Sequence, residues 1–199
     1  NLSWSEHIDK ISKKVSSAIG ALKRVRPFIT YKTALQLYSA LIQPHFDYCC
    51  TVWDELGDTL VVKLQKLQNR AVRVITGSGY DASAGALLSR LQLDNLSIRR
   101  EKLKAQLMFK ILKGNMPSYL KSLFSFRTTE YNFRNNQFKL NLPKPRTNYL
   151  KRSLCYNGAL LWNSLPQEVR NIQFFSQFKK ATKDYFTNVN NIDSLTAIL

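Results

Sequence analysis

The acidic residues of this chain are spaced in a way that does not favour metal-dependent chemistry. Phosphoryl transfer by two divalent ions needs at least two carboxylates that hold the ions roughly 4 Å apart. No two Asp residues are adjacent, and several acids stand where an acid can cap a helix. The Asp residues in question are Asp47, Asp54, Asp58, Asp81 and Asp94. We therefore predict neither a catalytic centre nor a metal site on this chain.

A short segment with one His and two Cys residues raises the question of zinc. His45, Cys49 and Cys50 have a spacing that occurs in zinc sites, but no Cys-x-x-Cys and no second pair of ligands accompanies them. Residues Gly77–Gly79 lack the Gly-Lys-Ser continuation of a phosphate-binding loop. We expect neither zinc nor nucleophilic catalysis. Three Cys residues are too few for a disulfide framework, which favours a reducing compartment.

The charge of the chain indicates a polyanionic partner. The 199 residues include 30 Lys and Arg against 13 Asp and Glu, a net charge of +17, and 44% are hydrophobic. Such a composition is typical of a folded domain, and no apolar run approaches the roughly 20 residues that cross a bilayer. No secretory signal is seen at the start. The positive charge favours nucleic acid or an anionic membrane surface, and we prefer nucleic acid because the apolar stripes are just wide enough for a shared core.

Cations at helical spacing are the strongest chemical signal. Lys63, Lys66, Arg70 and Arg73 recur at steps of three and four, so they share one face of a predicted helix. Such a face can neutralise phosphates, and aromatic rings between cations can stack on unpaired bases. The further cations predicted to bind nucleic acid are Arg99, Arg100, Lys104, Arg127, Arg134, Arg146, Lys151 and Arg152. The alternative is that the aromatic side chains form core and the cations only solvate the surface.

The elements that carry these cations are predicted to be helices. Apolar residues at steps of three and four predict helices over residues 3–26, 30–43, 58–76, 81–91 and 96–113. Ser3, Thr30 and Asp58 are the predicted caps, and the first two helices are expected to pair as a hairpin. The cations of the fifth helix are expected to lie mostly outside.

The remainder of the chain is predicted to be less regular. Residues 125–153 interleave Asn, Thr and Arg with aromatic residues, among them Tyr131, Phe133 and Tyr149. Alternation of apolar residues at 138–142 predicts a short strand, and helices are predicted at 154–162 and 176–186. The fold class is therefore mainly α. The predicted domains are a helical bundle at 1–114, a basic aromatic linker at 115–152, a helical region at 153–188 and a frayed tail at 189–199.

Several stretches resemble the reverse transcriptases of non-LTR retrotransposons, of the jockey-like and related kinds, in the region after the catalytic palm. The matching stretches are NLSWSEHI at 1–8, LKRVRP at 22–27, LYSALIQPHFDYC at 37–49, LQKLQNRAVRVITG at 64–77, LMFKILKG at 107–114, PRTNY at 145–149 and LWNSLP at 161–166. The resemblance implies that residues 1–114 form a thumb-like bundle. It further implies that the basic helices hold RNA, DNA or an RNA/DNA hybrid.

The resemblance also implies what this chain does not do alone. The aromatic-Ala-Asp-Asp motif of the family's palm is not in this sequence, so we expect a noncatalytic fragment of an RNA-directed DNA polymerase with no cofactor of its own. The divalent metal would belong to the palm, which with the fingers would lie upstream and be a partner. An intracellular protein of the nucleus and cytoplasm is implied. The alternative is a stand-alone domain derived from such an element, acting as an RNA-binding or protein-interaction module.

Overall fold

The regular structure of the chain is almost entirely helical. A computed structural model describes the backbone of residues 4–128 and 138–196, and the side chains of residues 4–128 and 138–187. Helices account for most of these residues, which confirms the prediction of a mainly α fold. The chain divides into two compact units, residues 1–100 and 101–199. The predicted boundary after residue 114 differs from this division, which falls inside a helix.

The first unit contains six helices among its described residues and the start of a seventh. They are α1 (Ser5–Val25), α2 (Tyr31–Leu41), α3 (Gln43–Asp47), α4 (Cys50–Trp53), α5 (Asp58–Thr76), α6 (Ala84–Arg90) and α7 (Leu96–Leu112). A 3-10 turn at Arg26–Phe28 follows α1. The long helices agree with the predicted ones. The second predicted helix corresponds to α2, and the short helix α3 that follows it was not predicted.

Helix α1 is amphipathic and buries one stripe of its surface. Ile8, Val15 and Ile19 are fully buried, as the periodicity predicts, but Val25 at the end of the predicted stripe is 41% exposed. The residue that precedes the helix is Trp4, which makes no side-chain cap. The predicted cap Ser3 lies outside the described residues. The predicted hairpin partner α2 does contact α1, yet α1 packs most extensively along α5.

The predicted cap of α2 is confirmed, whereas the predicted cap of α5 lies one residue inside the helix. The Thr30 hydroxyl accepts a hydrogen bond from the Thr33 amide at 3.2 Å, as expected for a capping residue. The residue before α5 is Gly57, so Asp58 lies in the first helical turn instead of capping it. An acid in that position is still favourable because it faces the positive end of the helix dipole.

Helix α5 ends in a tight turn that matters for the site described below. Gly77 has a left-handed backbone with φ of 69°, which costs glycine little. The amide of Gly77 donates to the Val74 carbonyl at 3.3 Å, and the amide of Ser78 donates to the Arg73 carbonyl at 3.1 Å. This pair of bonds is a Schellman motif. It satisfies the last carbonyls of α5 and turns the chain sharply.

The second unit is built around aromatic rings. Its helices, after the rest of α7, are α8 (Ser118–Lys121), α9 (Asn148–Lys151), α10 (Leu154–Ser164), α11 (Gln167–Asn171) and α12 (Phe175–Thr196). Phe109 and Phe178 have ring centroids 4.5 Å apart, and Trp162 stacks on Phe178 at 5.8 Å. All three rings are buried, so they form the core of this unit.

One prediction for the second unit needs correction. The predicted strand at 138–142 is only an isolated antiparallel bridge between Phe126 and Leu140 within the described residues. The Asn163 amide takes the place of a further strand, because it binds both the backbone N–H and the carbonyl of Leu140, at 2.7 and 2.9 Å. Helix α12 continues as far as Thr196, into the segment 189–199 that was predicted to fray.

Candidate nucleic-acid interface

An open groove of about 1000 Å³ lies between the end of α1 and the last turns of α5. Five cationic side chains line it: Lys23, Arg26, Lys66, Arg70 and Arg73. No Asp or Glu is among the described residues that line it. We call this feature the basic groove. A cleft lined by charges of one sign concentrates its field, which favours a ligand of the opposite sign.

The wall contributed by the end of α1 is fixed to α5 by a hydrogen bond. Arg26 Nε donates to the Ile75 carbonyl at 2.8 Å, and Arg26 Nη1 donates to the Ile29 carbonyl at 3.1 Å. These bonds hold the guanidinium at the C-terminal turn of α5, where a cation also complements the helix dipole. Lys23 lies one turn before Arg26 and is exposed. The close packing of α1 along α5 thus brings cations from two helices to one groove.

The opposite wall is the predicted cationic face of α5. Lys66 and Arg70 are exposed and make no hydrogen bond or ion pair with any described residue. Arg73, one turn further on, donates from Nε and Nη2 to the Ala82 carbonyl at 3.2 and 3.1 Å. Its guanidinium also lies over the Tyr80 ring, 5.3 Å from the centroid. The groove therefore contains two kinds of cation. Arg26 and Arg73 are held by backbone carbonyls, whereas Lys66 and Arg70 have no hydrogen-bond partner among the described residues.

The fourth residue of the predicted face has a different neighbour. Lys63 Nζ forms an ion pair with Asp9 of α1 at 2.5 Å, with both side chains about half exposed. The hydrogen bond from Lys63 and its charge lower the pKa of the Asp9 carboxyl. Lys63 is thus partly neutralised by α1, and it is not among the residues that line the basic groove.

The cations at the start of α7 are engaged by carboxylates. Arg99 Nε and Nη2 each bind a carboxylate oxygen of Asp47 at 2.5 Å. Burial alone would lower the pKa of Arg99, but the hydrogen bond and charge of Asp47 outweigh burial and raise it. Arg100 Nε binds Asp54 at 2.7 Å, and only 5% of the Arg100 side chain is exposed. These two arginines hold α7 to the segment that contains α3 and α4.

The expectation that the cations of this helix lie mostly outside is wrong for its first turns. Arg100, Lys102 and Lys104 are all buried. The reason is that α7 is covered on more than one side, as the consecutive buried residues Met108 and Phe109 also show. Long cationic side chains tolerate such positions because their aliphatic stems pack against apolar surface.

The predicted cations of the second unit lie on its surface. Arg127, Arg146, Lys151 and Arg152 are exposed, and Arg134 lies outside the described residues. The structure does not gather the four into a described groove. Among the aromatic residues predicted to stack on bases, Tyr149 is 61% exposed. The rings of Phe126 and Phe138 pack edge to face at 6.2 Å, while Tyr131 and Phe133 lie outside the described residues.

Bond-making chemistry depends on groups that could hold a metal ion or act as a nucleophile. No group of three His, Cys, Asp or Glu side chains that could hold a metal ion occurs in the part of the chain that the structure describes. Burial, followed by the charges of Asp47 and Asp54, raises the pKa of the Cys50 thiol to about 11, so this thiol stays protonated at neutral pH. No helix in the described ranges is long and apolar enough to cross a membrane. The arrangement is suited to binding charge.

Of the charged and aromatic side chains that line the basic groove, sequence reasoning missed three, namely Lys23, Arg26 and Tyr80. Lys23 and Arg26 belong to the stretch at 22–27 that carries part of the family resemblance, which was a usable signal. Tyr80 follows the Gly77–Gly79 turn, where no periodic pattern exists. These residues meet the cations of α5 only because α1 packs along α5. Residue spacing within a single helix does not predict such packing.

Comparison with known proteins gives a partial match. Over 79 residues, 38% of this chain, the sequence is 25% identical to a probable RNA-directed DNA polymerase from the transposon X-element of Drosophila melanogaster. Part of the chain is similar to a transposon reverse transcriptase. The match covers 9% of that protein, so the chain spans only a small share of its length. No protein-family model and no solved structure matches the chain.

Proposed function

We propose that this chain is the thumb-containing part of a non-LTR retrotransposon reverse transcriptase, and that its basic groove holds RNA or an RNA/DNA hybrid. The observation that carries the proposal is the groove itself, with cations from α1 and α5 and no acid among its described lining residues. The similarity to a transposon RNA-directed DNA polymerase supports the choice of partner.

The groove would bind phosphates in two ways. Arg26 and Arg73 are fixed by backbone carbonyls, so little side-chain freedom is lost when a phosphate meets them. Lys66 and Arg70 have no hydrogen-bond partner among the described residues, and each would release a counterion from the nucleic acid on contact. Phosphate contacts carry no sequence information. Binding through phosphates suits a polymerase, which must hold a strand of any sequence.

The catalytic part of the reaction would lie elsewhere in the same polyprotein. The Asp-Asp motif of the palm is not in this sequence, and we propose the upstream palm and fingers as the partners that supply the metal-binding carboxylates. This chain would contribute binding and positioning of the primer and template.

The direct test compares two variants that remove the same charge. Lys66→Gln/Arg70→Gln removes two groove cations, and Lys14→Gln/Arg90→Gln removes one exposed Lys and one exposed Arg outside the groove. Affinity is measured by filter binding to single-stranded RNA, duplex DNA and an RNA/DNA hybrid. We expect the groove variant to bind about tenfold more weakly, or roughly 1.4 kcal/mol, because it loses two phosphate contacts.

The control variant should bind much more like the wild-type protein, and the hybrid should bind at least as well as duplex DNA. Equal losses in the two variants would show that net charge alone drives binding. That result would contradict a role for the groove.

A further inference from the structure

A tyrosine at the edge of the basic groove is positioned for contact with a ligand. Tyr80 is 87% exposed, yet the Arg73 guanidinium lies over its ring, 5.3 Å from the centroid. A ring this exposed contributes little to the core. It lines the same groove as Lys66 and Arg70. The groove therefore presents an open aromatic surface beside open cations.

The turn that carries Tyr80 holds it in this place. Arg73 is fixed by two hydrogen bonds to the Ala82 carbonyl, so the chain before and after Tyr80 is tied to α5. The hydroxyls of Thr76 and Ser78 are 2.9 Å apart and brace the start of the turn. Because the backbone on both sides of Tyr80 is anchored, less entropy is lost when the ring binds a flat partner than for a ring on a free segment.

We propose that the basic groove binds an unpaired nucleic-acid strand, with a base stacked on Tyr80 and the neighbouring phosphates on Lys66 and Arg70. This rests on the proposed function, because it takes nucleic acid as the ligand, and it names the part of the nucleic acid that enters. Inside a duplex each base is covered by its neighbours, whereas a single strand or a strand end has base faces that can stack on a protein ring.

The dimensions and chemistry of the groove fit such a strand. Its volume of about 1000 Å³ is at the upper end of the range for pockets that enclose a small ligand, so it has room for nucleotides and not only for one small anion. Alternation of cations with an exposed ring is the arrangement that proteins use to bind single strands without reading sequence.

The test separates the base from the phosphates. The full chain and its Tyr80→Leu and Tyr80→Phe variants are titrated with a single-stranded oligonucleotide and with an abasic oligonucleotide of the same number of phosphates. Loss of one base stack should weaken binding of Tyr80→Leu to the base-containing strand by roughly 5- to 150-fold. Binding of the abasic strand should not change, and Tyr80→Phe should bind like the wild-type protein because it keeps the ring.

Further arms distinguish failure of this inference from failure of the proposed function. If Lys66→Gln/Arg70→Gln weakens binding while Tyr80→Leu binds the base-containing strand normally, the groove binds phosphates only and the stacking inference is overturned. If neither variant changes binding, both proposals fail. Tyr80→Leu should also leave duplex binding unchanged, and an equal loss on duplex and single strand would contradict an unpaired ligand.

Discussion

Two sets of cations in the first unit have the same appearance in sequence and different surroundings in the structure. Arg99 and Arg100 at the start of α7 meet the carboxylates of Asp47 and Asp54. Lys66 and Arg70 on α5 have no carboxylate partner among the described residues. The difference shows that helical spacing alone does not identify a binding cation. Acids brought close by the tertiary fold decide whether a cation stabilises the protein or remains available to a ligand.

The largest effect should come from breaking the more buried ion pair. Replacing Arg100 with Met leaves the Asp54 carboxylate, itself only 13% exposed, without the guanidinium. Removing one partner of a buried pair typically lowers the free energy of unfolding by about 3–5 kcal/mol. Urea unfolding of Arg100→Met should show a loss of this size, with binding of nucleic acid by the remaining folded protein unchanged.

A double variant checks the cause of that loss. Arg100→Met/Asp54→Leu removes both charges, so it should be more stable than Arg100→Met alone. If Arg100→Met is as stable as the wild-type protein but binds RNA more weakly, Arg100 belongs to the interface, as the sequence predicted, and the contrast between the two sets is wrong.

A smaller loss of stability is expected from a substitution in the turn after α5, which lines the basic groove and contains no ion pair with a carboxylate among the described residues. Gly77 has a φ of 69°, and a Cβ there would have open space, so the cost of Gly77→Ala is one of backbone conformation. A left-handed residue with a Cβ costs about 1–2 kcal/mol, which should appear in urea unfolding. Gly79→Ala is the matched control because its φ is not in the left-handed region, and it should be neutral or slightly stabilising. Equal losses in both would show that the turn does not need this conformation.

The smallest effect on stability is expected from the exposed ion pair between Lys63 of α5 and Asp9 of α1. Because Lys63 lowers the pKa of Asp9, this pair contributes stability above the ordinary carboxyl value of 3.8. That contribution is lost as the pH falls through the lowered value. The difference in Tm between wild type and Lys63→Gln should therefore be small at neutral pH, shrink below pH 3.8 and shrink in high salt. A large difference that persists in acid would mean that Lys63 has another structural role.

Much of the fold could be predicted from the spacing of apolar residues and from the residues that begin and end helices. The bounds of α5 and α7 follow from apolar spacing, with Gly77 and Gly114 after them, and Thr30 caps α2 as expected. The predicted strand at 138–142 failed because alternation cannot say what satisfies the strand's backbone groups. In the structure a side chain, Asn163, binds Leu140 instead of a neighbouring strand.

The candidate site was predictable only in part. Lys66, Arg70 and Arg73 lie on one helix face, and local spacing is sufficient to find them. The role of Arg99 depends on Asp47, which is 52 positions away, and that of Arg100 depends on Asp54, 46 positions away. No pattern within one helix contains this information. The same reason explains why Arg26, which binds the carbonyl of Ile75, was not recognised as part of the groove.

The most direct test of phosphate binding by the basic groove is the dependence of nucleic-acid affinity on salt concentration. The slope of log K against log salt reports how many phosphates the protein neutralises, at about 0.7 per contact on a single strand and about 0.9 on a duplex. For single-stranded RNA, Lys66→Gln/Arg70→Gln should reduce the magnitude of this slope by about 1.4, while Lys14→Gln/Arg90→Gln should leave it near the wild-type value. An unchanged slope for the groove variant would contradict the claim that Lys66 and Arg70 bind phosphate.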